Sequence, residues 1–137
     1  MSLPFFTRKT GAIASLLGAL VLALAGCMSV PITPTAFTPA DKAAAARPSQ
    51  LTRPVAVLLP NETGVSLPGG SQWILAGSIP QGQVYRKANG TLMVDAQRLR
   101  EAYLVVSNQA LTGFYFPGES AYTPVSHATA LHLEPLQ

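Results

Sequence analysis

The chemically versatile side chains of this chain are few: one cysteine, Cys27, two histidines, His127 and His132, and six carboxylates. The histidines lie five residues apart. On one strand that odd spacing turns them to opposite faces, and Cys27 is the only other soft ligand, so no metal site is expected. Glu62, Asp95, Glu101, Glu119 and Glu134 each stand alone in their segments. Paired-carboxylate catalysis would need two of them to converge from separate elements. Ser120, His127 and Asp95 form a triad on paper, yet no nucleophile elbow surrounds any serine. The stretch Gly64-Val-Ser-Leu-Pro-Gly-Gly70 matches neither a phosphate-binding loop nor a dinucleotide fingerprint. The residue inventory points away from an enzyme.

Cys27 is different, because its surroundings are patterned. Residues 1–10 carry Arg8 and Lys9 and no acid, and residues 11–26 then run sixteen positions without a charge, rich in Leu and Ala. That is the layout of a secretory signal. The run is shorter than the ~20 residues that span a bilayer, and Pro31, Pro34 and Pro39 follow it, which disfavours a permanent transmembrane helix. It closes on Leu24-Ala25-Gly26-Cys27, which resembles the lipobox of bacterial lipoproteins. Small residues before the cut let a peptidase approach the backbone, and the thiolate is the good nucleophile needed for acyl transfer. The resemblance covers residues 1–27 and implies removal of the signal, with a diacylglycerol and an N-acyl chain on Cys27. Two or three chains make a stable anchor where one is marginal. In lipoproteins of this type an Asp after the cysteine commonly marks inner-membrane retention; Met28 and Ser29 stand there instead, which in a Gram-negative envelope implies the outer membrane, with the domain facing the periplasm. A bacterial source also makes the sequons at Asn61 and Asn89 irrelevant.

Composition agrees with a small folded domain rather than a charge-driven one. Charged residues make up 11% of the 137 residues, against about 25% in an average soluble chain. Nine Lys and Arg face six Asp and Glu, and loss of Arg8 and Lys9 leaves seven against six. A nearly neutral mature chain has no electrostatic footprint for nucleic acid.

Residues 28–54 contain five prolines and four alanines in a row at 43–46. Proline denies both helix and ladder hydrogen bonds, and large apolar residues are scarce, so an extended spacer is expected. At ~3.1 Å per residue it would reach several tens of Å. Residues 40–47 form at most two helical turns, with Asp41 near the start. Phe37 is the spacer's aromatic residue, available to dock on a partner or on the domain.

Residues 55–137 read as one mainly β domain of about six short strands, a small sandwich or partly open barrel with at most one short helix. Strands are expected at 55–59, 73–76, 83–86, 102–107, 111–116 and 128–133. Asn89-Gly90 suits a type I′ hairpin between 84–87 and 91–94, and Asn108-Gln109 reads as a turn. Leu99, Ala102, Tyr103 and Val106 fall at helical spacing, which suggests a helical turn at 96–100 before the strand. Trp73, Leu104, Val106, Phe114 and Phe116 are the expected core.

Two surface features remain. Leu111-Thr-Gly-Phe-Tyr-Phe-Pro-Gly118 alternates so that Phe114 and Phe116 turn inward and Tyr115 outward, near Tyr122. An exposed aromatic of this kind can anchor a protein partner. Arg86 and Lys87, with Arg98 and Arg100, form the one basic grouping. These features suggest a non-enzymatic envelope lipoprotein whose domain docks onto a larger secretion, conjugation or outer-membrane assembly. The alternative is a small-ligand or inhibitor-binding lipoprotein, its pocket beneath Trp73, Tyr103 or Tyr115. A cell-wall enzyme stands third.

Overall fold

The computed structural model describes residues 30–136; the signal, Cys27 and its two following residues lie outside that range. Thirteen strands and one short helix are present in it. They are β1 (Thr33–Pro34), β2 (Thr38–Pro39), α1 (Lys42–Ala45), β3 (Pro48–Leu51), β4 (Val55–Leu58), β5 (Gly64–Leu67) and β6 (Gln72–Ile79). After these come β7 (Gly82–Lys87), β8 (Met93–Asp95), β9 (Leu99–Glu101), β10 (Tyr103–Ser107), β11 (Ala110–Phe116), β12 (Ala121–Ala130) and β13 (Leu133–Pro135). The main sheet is antiparallel and open, in the order β1-β12-β11-β10-β7-β6-β3-β13, with β2 beside β6. Two separate hairpins, β4–β5 and β8–β9, complete the fold.

Both hairpins cover one face of the main sheet. Val55, Val57, Leu59, Val65 and Leu67 from the first, and Val94 and Ala96 from the second, share a core with Trp73, Leu104, Leu111, Phe114 and Phe116. This makes a sandwich-like fold. Four of the five expected core residues are fully buried, and Val106 packs against them half-buried. Alternation explains the rest of the strands: in β4 Val55 and Val57 point in while Ala56 and Leu58 point out.

Turn chemistry sets the registers. Asn108 and Gln109 have φ of 51° and 61°, the two positive angles a type I′ loop needs, and they join Ser107 to its partner Ala110. In β4–β5, Leu59 N–H donates to Thr63 O at 2.9 Å, while Asn61 Oδ1 accepts from Thr63 N–H at 3.1 Å.

Several expectations give way. Residues 30–54 are extended apart from α1 but do not stand off as a spacer. Thr33 pairs with Tyr122, Thr38 with Ser78, and Ser49 with Trp73, and Val30 and Leu51 are buried in the core. Proline is tolerated because Pro34 and Pro39 end two-residue strands and Pro48 begins β3. The helical turn at residues 96–100 is absent; that stretch forms the β8–β9 hairpin, in which Asp95 pairs with Leu99. Asn89-Gly90 does not join 84–87 to 91–94, because β7 is held between β6 and β10. The last expected strand is displaced: β12 starts at Ala121 and β13 pairs with β3. The short helix at Lys42–Ala45, with Asp41 as its N-cap, falls where the sequence allowed one.

Candidate functional site

The second face of the main sheet carries a cross-strand row of aromatic and charged side chains. Tyr122 pairs with Tyr115, and Tyr115 with Tyr103. Leu104 pairs with Tyr85, so the same register sets Tyr103 beside Arg86, which itself pairs with Ile74. Three residues singled out from the sequence, Tyr122, Tyr115 and Arg86, therefore lie along one line. Lys87 pairs with Trp73 and falls on the opposite pleat.

Alternation correctly turns Tyr115 away from Phe114 and Phe116, but the face it reaches is not open. Phe37, from the segment read as a spacer, stacks on Tyr115 with centroids 5.1 Å apart and planes at 14°. Tyr115 is 4% exposed as a result, so it is no free anchor for a partner. Phe37 fits there because Gly77 offers no side chain: a Cβ at that position would lie 2.6 Å from the Phe37 ring. Gly113 plays the same part for Tyr122, whose ring would stand 2.6 Å from a Cβ there. Tyr122 O–H also donates to Thr112 O at 3.2 Å. The two rings roof Val84 and Val105, both fully buried.

The open part of the row is its Tyr103–Arg86 end. Arg86 is exposed and Tyr103 half-buried, at a recess of about 170 Å³ that Lys87, Thr91 and Glu101 also line. Burial, and then the negative charge of Glu101, push the Tyr103 phenol above its usual pKa, while Arg86 opposes the shift. The neutral phenol can donate a hydrogen bond. Tyr and Arg are residue types enriched where proteins meet, and here they stand side by side at the open end of the row. Sequence reading missed Tyr103 in this role, although β-strand alternation with Val105 carried the signal.

Arg98 and Arg100 do not extend this patch. Glu119 binds both, at 2.8 Å and 3.3 Å, and Arg100 sits 5.6 Å from the centre of the Phe116 ring. Their work is to tie the β8–β9 hairpin to the β11–β12 turn.

A second concavity of about 540 Å³ lies where the β6–β7 and β10–β11 turns meet residues 131–134. Gln83, Tyr85, Asn108, His132 and Glu134 line it. Trp73 does not: it is 1% exposed, and its Nε1–H donates to Ser71 Oγ at 3.0 Å. His127 lines a different groove, beside β4. Among the described residues, no three His, Cys, Asp or Glu side chains are grouped as metal ligands. Set against family models, curated proteins and solved structures, the chain matches none.

Proposed function

We propose that this chain is a membrane-anchored envelope lipoprotein whose β domain is a non-enzymatic assembly or anchoring subunit of a larger cell-envelope complex. The observation that carries the reading is Leu24-Ala25-Gly26-Cys27 at the end of a basic, then uncharged, leader. Acylation of Cys27 supplies the membrane attachment, and Met28-Ser29 directs the protein to the outer membrane with its domain in the periplasm. Recognition of a protein partner falls to Tyr103, Arg86 and Lys87, with Tyr122 bracing the row from within. The secretion, conjugation and outer-membrane machines are the class of assembly such a subunit serves.

Affinity recovery with cross-linking tests this, using the native chain beside Cys27→Ser. A stable partner set recovered with the acylated form supports an anchoring subunit. Recovery of the chain alone in both forms contradicts it.

A second reading has one observation in its favour. The concavity at Tyr85 and His132, about 540 Å³, falls within the ~300–1,000 Å³ of small-ligand sites. A ligand-binding lipoprotein would use that cleft, and a thermal shift with envelope metabolites that Tyr85→Ala abolishes would favour it.

A further inference from the structure

The attachment point and the fold lie close together. Cys27 precedes Val30 by three residues, a stretch that extends at most ~11 Å. Val30 is 4% exposed and shares its core with Val55, Val57, Val65 and Val125. An acyl anchor on Cys27 therefore cannot hold the domain away on a stalk. The part of the domain around Val30 must rest at the bilayer surface.

From Val30 the chain runs into β1, whose Thr33 pairs with Tyr122 of β12, and an uncharged groove lies farther along β12. β4 packs beside β12, and the groove of about 290 Å³ between them is lined by Ala56, Leu58, Ser66, Ser126, His127 and their neighbours, none of them Lys, Arg, Asp or Glu. By contrast, three other concavities each include an acidic side chain: Glu134, Glu101 and Asp41. Leu58 projects from the outer face of the hairpin, 51% exposed. Its cross-strand partner is Gly64, and Ala56 faces Ser66, so the outward positions of both strands are small or apolar, with the exposed Glu62 confined to the turn.

We infer that the outer face of the β4–β5 hairpin, led by Leu58, is the membrane seat of this domain. It rests in the interfacial layer of the leaflet that holds the Cys27 lipid. The inference depends on the lipid-anchor reading above. Met93 and Leu99 of the β8–β9 hairpin are exposed too, so exposure alone does not single out Leu58; the short reach from Cys27 through Val30 and β12 to β4 selects this face, and a bilayer interface as its occupant. Because β4–β5 covers one face of the main sheet, seating it turns the Tyr103–Arg86 row on the other face away from the lipid, toward a periplasmic partner.

The test uses the full acylated protein in vesicles of phosphatidylethanolamine and phosphatidylglycerol, with nitroxide labels on Leu58→Cys, Ser66→Cys and, as reference, Arg86→Cys. The thioether at Cys27 leaves the introduced cysteine as the one reactive thiol, and mass spectrometry establishes acylation first. The expected result is a several-fold higher ratio of oxygen to nickel-chelate collision at positions 58 and 66 than at 86. Ratios at 58 and 66 equal to that at 86, in protein of verified acylation, overturn the membrane seat alone. Protein lacking the acyl mass overturns the anchor reading and the seat with it.

Discussion

Replacing Phe37 with alanine separates a free spacer from an integral part of the sheet. The ring stacks on Tyr115 at 5.1 Å, lies against Gly77 and packs on the cluster of Ile79, Val84 and Val105. Truncating a fully buried Phe costs about 3–5 kcal/mol, and a stacked pair contributes about 0.5–1.5 kcal/mol beyond its area. Phe37 is half-buried, so about 2 kcal/mol is expected for the two effects together. At roughly 4 °C per kcal/mol for a domain near 100 residues, the midpoint falls by about 8 °C. Urea and thermal unfolding followed by circular dichroism measure this. A double-mutant cycle with Tyr115→Leu then isolates a coupling of about 1 kcal/mol. A Phe37→Ala loss below about 0.5 kcal/mol, the range of surface substitutions away from packed features, would show that residues 30–47 do not roof the sheet.

Three further outcomes follow from the same packing. Gly113→Ala places a methyl against the Tyr122 ring and Thr123 O and should cost about 1–3 kcal/mol in denaturant melts; Gly118→Ala, with open space around it, is the matched control. Thr123 is fully buried and its hydroxyl has no partner among the described residues, so Thr123→Val should raise stability by about 1 kcal/mol. Tyr85 and Tyr103 have raised phenol pKa values in the fold, both chiefly through burial. Their neutral forms are therefore favoured by folding: that stability is complete below the unfolded tyrosine pKa of about 10 and is lost as pH rises through the folded values. Tyr103→Phe and Tyr85→Phe should flatten the alkaline decline in urea midpoint, and an unchanged slope would count against the burial argument.

Local patterns were legible where a strand decided its own geometry. Phe114 and Phe116 against Tyr115, and the Asn108-Gln109 turn, needed no knowledge beyond their neighbours. What could not be read was which face is covered from elsewhere. Tyr115 points away from the main core as alternation requires, yet Phe37, far upstream, closes that side. Residues 28–54 read as an extended spacer because proline withholds donors, but a two-residue strand against an existing edge needs few of them. Asn89-Gly90 is a good turn signal that lost its partner strand: β7 makes longer ladders with β6 and β10 than the local hairpin offers. The apparent helical spacing of Leu99, Tyr103 and Val106 arises from two strands, β9 and β10, separated by the buried Ala102. Of the candidate partner residues, Arg86 and Lys87 line the open recess, Tyr122 is half-buried, and Tyr103 joins them only through the register of β10 on β7.

The lipid on Cys27 is the claim on which anchoring, localisation and the membrane seat all depend. Its most direct measurement is the intact mass and N-terminal fragment spectrum of the protein extracted from membranes, with Cys27→Ser beside it. The expected result is a chain beginning at Cys27 with diacylglyceryl and N-acyl groups, recovered from the outer membrane, and an unacylated variant that retains its leader. A native chain that keeps residues 1–26, or carries an unmodified Cys27, would contradict it.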